Sequence, residues 1–267
     1  MCLPDHGRRA ELAVVAAVLV VAAPASAIQS IQKADVKVTP NVAGTKAKPQ
    51  GVSISVHAYF DSISADLDQQ VQFATTHGDV FFPKEGLTIN KLFPGCSSAT
   101  VFQDEKQCPA ESKIGTGTAR GIGLGLDETV TLTAYNLPNG AGGVVLVVGE
   151  SPLIIREVVV ANLKTLTNDP LYKYELSFDV PKNLQSPAPG VIAAVKDFKL
   201  NIPVKYLKKS GKYVKKKNGQ RIPYIATTGC KTGTWAGKAV LDYTTTVDGA
   251  VESTQTVDVS VPCKKHK

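Results

Sequence analysis

From Val52 onward, apolar and polar residues alternate in short runs. Val52, Ile54, Val56, Ala58 and Phe60 interleave with Ser53, Ser55, His57 and Tyr59, the period-two pattern of a strand with one buried face. Val144 to Val148 (VVLVV) is apolar throughout and suits a central strand covered on both faces. Ile154-Ile155 with Val158 to Val160, and Tyr172 to Val180, read as further strands. The pairs Asn139-Gly140, Ser210-Gly211, Asn218-Gly219 and Asp248-Gly249 mark turns between them. Ser97 to Gln107 is the best helical stretch, with Ser97 or Ser98 placed to cap it. Helices long enough for parallel crossovers are missing. The pattern predicts an all-β protein: an antiparallel β-sandwich, in one domain or two lobes, with at most one short helix.

The stretch CPAESKIGTGTARGIGLG, residues 108–125, tests this reading. Gly115, Gly117 and Gly121 resemble a phosphate-binding loop, but the spacing is GxGxxxG and neither a GxGxxG fingerprint nor GxxxxGK is present. The run Ile122 to Tyr135 alternates like a strand and offers no helix N-terminus to an anion. Read with period two, positions 115, 117, 119, 121, 123 and 125 are glycine or alanine, so one face of a strand starting at Lys113 is nearly bare. Strand glycine costs roughly 0.5–1 kcal/mol relative to alanine, so the bare face predicts a close approach of another part of the protein.

Residues 1–27 carry the three parts of a secretory signal. Arg8 and Arg9 precede the apolar run Leu12 to Ala23, and Ala25-Ser26-Ala27 follows Pro24. The apolar run is shorter than the roughly 20 residues of a spanning helix, so cleavage after Ala27 and a secreted or cell-surface location are expected. The mature chain then has no transmembrane segment. Residues 28–50 are polar, rich in Lys, Pro and Gly, and read as a flexible lead-in, with VKVT as an added edge strand at most. Residues 51–267 form the β domain, including a basic meander at 204–225 and a C-terminal hairpin at 235–261.

Cys2 leaves with the signal, so Cys96, Cys108, Cys230 and Cys263 remain, an even number suited to an oxidising compartment. Trp235 to Val247 and Ala250 to Val261 read as strands around Asp248-Gly249, which puts Cys230 and Cys263 together at the open end of the hairpin. Cys96 and Cys108 then pair, closing a loop worth about 3 kcal/mol in the chain-entropy account. Trp235 is expected in the core beside the Cys230–Cys263 bridge. A zinc site is disfavoured, because there is no CxxC and the histidines lie far from the cysteines in sequence.

Phe93-Pro94-Gly95-Cys96, Cys108-Pro109, Ser112-Lys113-Ile114-Gly115-Thr116-Gly117, and the later Cys230, Trp235, Asp248-Gly249 and Cys263 resemble a group of uncharacterised secreted actinobacterial proteins. The resemblance spans roughly residues 50–263 in scattered motifs. It implies an exported, disulfide-stapled β protein and brings no catalytic residues with it.

Charge changes the picture most. The chain is +7 overall, and Phe198 to Leu241 carries eleven Lys or Arg with no Asp or Glu, so the remainder is acidic. The candidate polyanion-binding residues are Lys205, Lys208, Lys209, Lys212, Lys215, Lys216, Lys217 and Arg221, with Tyr206, Tyr213 and Tyr224 interleaved. Such a rim attracts an anionic cell-envelope polymer or the surface of another protein. The tyrosines match no recognised nucleic-acid module, which disfavours nucleic acid. The plainer alternative is a solvated hairpin whose lysines discourage edge-to-edge aggregation.

Catalytic signals are sparse. His57 falls in a strand and His77 in a turn (THGDV). Together with Asp61 and Asp79 they are the one candidate metal group, but no HExxH spacing supports it. No GxSxG elbow occurs. The function expected is that of an exported non-catalytic β protein, with no cofactor, that contacts an anionic polymer through its basic meander. The alternative is a secreted hydrolase or carbohydrate-active enzyme with dispersed catalytic residues.

Overall fold

A computed structural model describes residues 30–62, 73–123, 126–150, 154–246 and 249–265. The signal segment 1–27, Asp248 and the side chain of Asp61 lie outside the described residues. In chain order the strands are β1 (Ser30–Thr39), β2 (Gln50–Gly51), β3 (Ser53–Ser62), β4 (Ala74–Pro83), β5 (Gly86–Thr88), β6 (Lys113–Gly123), β7 (Leu126–Asn136) and β8 (Gly142–Gly149). They continue with β9 (Ile155–Thr165), β10 (Tyr172–Asp179), β11 (Ala194–Ile202), β12 (Lys208–Lys209), β13 (Lys212–Tyr213), β14 (Ile225–Thr227), β15 (Thr234–Thr244) and β16 (Ser253–Pro262). Two short helices join them, α1 (Ser98–Asp104) and the single turn α2 (Lys182–Gln185).

The architecture is all-β and antiparallel, as the alternation predicts. Eleven strands form one sheet in the order β1-β3-β11-β6-β7-β8-β9-β10-β4-β15-β16. The sheet curls until β1 and β16 meet, giving a nearly closed barrel. The layers that a sandwich builds from two sheets are here opposite walls of one. With an odd number of antiparallel strands, the two end strands must run parallel. Beyond their ends the seam carries a parallel bridge, Val42 to Lys264, in which Ala43 N donates to Lys264 O and Lys264 N to Asn41 O, both at 2.8 Å.

The alternation sorts residues to the two faces of this wall. Val36, Val56 and Leu200 pair across β1, β3 and β11 in one row with Gly117, and the apolar rows line the inside. The next row, Asp35, His57, Lys199 and Thr118, faces out. One outward patch is apolar, around Tyr135, Val144 and Leu146, and α1 with the first disulfide covers it. Ser97 caps α1 by accepting from Thr100 N at 3.1 Å, and Arg156 of β9 ties its last turn down through Phe102 O at 2.7 Å. Thus β8 is covered on both faces, and Val144 is fully buried.

Both predicted disulfides are present, Cys96–Cys108 with Cα atoms 5.4 Å apart and Cys230–Cys263 at 5.9 Å. Trp235 packs beside the second with Ala43 and Val261, and its indole N–H donates to Gly229 O at 2.7 Å. Both bridges sit at one end of the barrel. The connections 40–52, 84–112 and 203–233 meet there too, whereas 180–193, which carries α2, lies at the opposite end. Among the described residues, no helix is long and apolar enough to cross a membrane.

Four sequence expectations are corrected. Residues 30–39 are not lead-in but a full wall strand, β1, paired with β3 from Ser30↔Ser62 to Thr39↔Ser53. His77 lies in strand β4 rather than a turn, because β10 and β15 pair with β4 on both sides. The run after Lys113 is two strands, β6 and β7, paired as a hairpin around 124–125. The C-terminal hairpin pairs Tyr243 with Ser253, a register one residue from that of a tight Asp248-Gly249 turn. Its loop is widened because the Glu252 carboxylate gathers the Thr245 hydroxyl and, at 3.2 Å, the Thr245 N–H.

Two glycines of the bare face, Gly115 and Gly117, have their explanation in β11. A Cβ on Gly117 would overlap the carbonyl oxygen of Lys199, and one on Gly115 would lie 2.7 Å from the carbonyl oxygen of Asn201. The neighbouring backbone occupies the space that side chains would need.

Candidate polyanion-binding face

The basic meander is folded by turn chemistry. Ser210 and Gly211 have φ of 47° and 76°, the two left-handed residues of a type I′ turn, and they join β12 to β13. Asn218-Gly219 makes the second turn, with Gly219 at φ 78° and its N–H donating to Lys216 O at 2.9 Å. Leu207 N donates to Ile222 O and Tyr224 N to Lys205 O, both at 2.8 Å, closing the segment on itself.

Its underside is apolar and plugs the disulfide end of the barrel. Leu207, Ile222 and Tyr224 are buried against Phe93, Ile114 and Ala134. The Tyr224 hydroxyl donates to Asn136 Oδ1 at 3.0 Å. Asn136 is fully buried, and its amide donates to the carbonyls of Asn90, Phe93 and Pro94 at 3.1–3.3 Å. Burial raises the Tyr224 hydroxyl pKa well above its ordinary value, so it remains a donor. Sequence reasoning did not find Asn136. Its only signal is a polar residue closing the alternating run of β7 (LDETVTLTAYN).

The upper side divides the candidate cations into three groups. Lys205 is half-buried and used internally, with its ammonium donating to Lys113 O at 2.6 Å and lying 3.5 Å from Glu111. Burial holds its pKa below the usual lysine value. Lys208 and Arg221 lie over tyrosine rings, Lys208 at 5.2 Å and Arg221 at 4.2 Å from the Tyr213 centroid, and Arg221 at 5.8 Å from that of Tyr206. Lys209, Lys212, Lys215, Lys216 and Lys217 are exposed and make no ion pair among the described residues. Tyr206 and Tyr213 meet edge to face at 6.3 Å.

A groove of about 340 Å³ separates the meander from the barrel, with Tyr206, Lys208 and Tyr213 on one side and Lys113, Thr116 and Asn201 on the other. Thr116 and Asn201 also belong to a second groove, of about 620 Å³, which crosses β6, β11, β3 and β1 as far as Asp35 and Lys37. Within it, His57 Nε2 lies 2.6 Å from Asp197 and the Lys199 ammonium 3.0 Å from the same carboxylate. Burial raises the Asp197 pKa, but the hydrogen bonds from His57 and Lys199 outweigh it and leave Asp197 below the usual range. Ser55, on the same face, donates to Asn201 Oδ1 at 2.9 Å rather than to His57.

Of the candidate metal residues, His57 is not brought together with His77 and Asp79. His57 pairs with Asp197 on β11, whereas His77 lies 2.7 Å from Asp179 and 3.3 Å from Asp79 on the opposite wall. Among the described residues, no group of three or more His, Cys, Asp or Glu is placed to hold a metal ion. No family model, curated protein or solved structure matches the chain.

Proposed function

We propose that the protein is an exported, non-catalytic binding protein that contacts an anionic cell-envelope polymer through the meander 204–225. One observation carries this reading. Five lysines, Lys209, Lys212, Lys215, Lys216 and Lys217, stand exposed and unpaired on a segment fastened by its apolar underside. Exposed cations that make no ion pair among the described residues present a field that a mobile polyanion can neutralise. Lysines act as point charges with little geometric demand, which suits a polymer better than a small ligand. The signal pattern, the two disulfides and the resemblance to secreted actinobacterial proteins support export.

Retention of residues 28–267 on heparin and on cell-wall preparations tests the proposal. Retention should be strong at low salt and fall steeply as added salt screens the charges. Changing the five free lysines to glutamine should abolish it. Lys205→Gln should leave it intact, because that ammonium is already engaged. Absence of retention of the unmodified protein at low salt overturns the reading.

A further inference from the structure

Two turns carry an Asn-Gly pair, Asn139-Gly140 and Asn218-Gly219, and the structure treats them differently. We propose that Asn218 is a deamidation site, whose conversion to aspartate or isoaspartate places the first carboxylate within the basic stretch 198–241. A glycine after asparagine has no Cβ to keep its backbone nitrogen away from the asparagine Cγ. Asn218 and Gly219 are both exposed, and a Cβ built on Gly219 would have nothing within 4 Å. At the other pair Gly140 is buried. Its carbonyl oxygen accepts from Asn90 Nδ2 at 3.0 Å, and atoms of Lys91 and Asn90 lie 2.6–2.8 Å from where its Cβ would sit. Cyclisation there requires turning a peptide that its neighbours hold fixed.

The Gly219 amide loses its proton to hydroxide, and the nitrogen attacks Asn218 Cγ. That C–N bond forms, the Cγ–Nδ2 bond breaks, and ammonia leaves with a proton taken from water. Water then opens the cyclic imide at Cγ to give aspartate, or at the Asn218 backbone carbonyl to give isoaspartate. The net change is water taken up and ammonia released. Two features favour the attack. The Gln220 N–H donates to Asn218 Oδ1 at 3.1 Å, the oxygen on which negative charge develops. Lys215, Lys216 and Lys217 immediately precede, and their field favours hydroxide and the anionic intermediate. Against it stands the hydrogen bond from Gly219 N–H to Lys216 O at 2.9 Å, in an exposed turn that opens at little cost. The new carboxylate lies among the lysines of the meander, so the reaction lowers polyanion affinity as the protein ages; this consequence alone rests on the polyanion reading.

The test incubates the folded mature chain in mildly alkaline buffer and maps its peptides by mass spectrometry. Asn218 should convert more than about tenfold faster than Asn139, whose turn must first open, and should yield isoaspartate together with aspartate, as opening of an imide requires. No conversion at Asn218, equal conversion at Asn139, or aspartate without isoaspartate overturns the proposal. Asn218→Asp supplies one product directly. It should weaken binding of a heparin oligosaccharide about two- to fivefold, the scale of one exposed charge pair, with the urea midpoint unchanged because the position is exposed. Unchanged heparin binding in that variant overturns the loss of affinity with age. Failure of the unmodified chain to bind heparin overturns the polyanion reading, while the peptide map still decides the deamidation site.

Discussion

Gly117→Ala should destabilise the barrel more than its single methyl group suggests. The added Cβ would overlap the Lys199 carbonyl oxygen, lie 2.9 Å from the Lys199 carbonyl carbon and 3.0 Å from Leu200 Cα. All three are backbone atoms of β11, so no side chain can rotate away, and β6 and β11 must part around the Gly117↔Leu200 pair. Losing two or three ladder hydrogen bonds at about 1 kcal/mol each costs about 2–3 kcal/mol. Alanine's smaller unfolded-state entropy offsets about 0.4–1 kcal/mol of that, leaving a net loss of about 2 kcal/mol. Gly121→Ala, four residues along the same strand, is the control. Its nearest contact would be Ala194 O at 3.6 Å, ordinary packing distance, so the entropic gain should leave it neutral or slightly stabilised. Urea unfolding followed by the fluorescence of the single tryptophan, buried in the disulfide cluster, measures both by linear extrapolation. Equal midpoints for the two variants would refute close strand approach as the reason for the glycines.

Tyr224→Phe should cost about 1–3 kcal/mol, because it leaves Asn136 Oδ1 buried without its donor; an unchanged urea midpoint would deny the Asn136 junction its place in holding the plug. Cys230→Ser should release one free thiol, at Cys263, leave Cys96–Cys108 intact by peptide mass mapping, and cost about 4 kcal/mol for a 33-residue loop. His77 should titrate above histidine's ordinary 6.5, because its hydrogen bond to Asp179 raises the pKa more than burial lowers it. The stability this adds is fully present below that ordinary value and is lost as pH rises through the raised one. A midpoint for the ring resonances at or below 6.5, in NMR titration of the folded protein, would contradict the pairing.

How much was legible depended on how local the cause was. VVLVV announced β8 because burial on both faces removes polar residues from both sides of a strand. The cysteine pairing followed from a single hairpin. Strand β4 hid its nature, because His77-Gly78-Asp79 has turn composition. Gly78 is there for packing instead, since a Cβ would press on Phe178 and Leu241 from the flanking strands. Strand β1 has little apolar content of its own, and its place depends on β3 and on the Trp235 cluster that Val36 and Val38 join. The lysines of 204–225 were visible as charge. Their scaffold was not, because Leu207, Ile222 and Tyr224 find their partners about 70–130 residues away. The outer groove left no local signal at all, being assembled from four strands.

The parallel seam between β1 and β16 also sets a schedule. These are the first and last strands of the described chain, so a polypeptide emerging N-terminus first can zip β3 onto β1 early but cannot complete the ring until Lys264 reaches Asn41 and Ala43. Until then two sheet margins stand unpaired and the apolar inner rows face water. Cys263 arrives in the same final step, so the covalent latch and the last strand become available together. Losing the residues after Val261 would remove Cys263 and the Lys264 bridge while leaving most of β16 in place, so the nearly closed barrel would lose its covalent latch and its seam contact together.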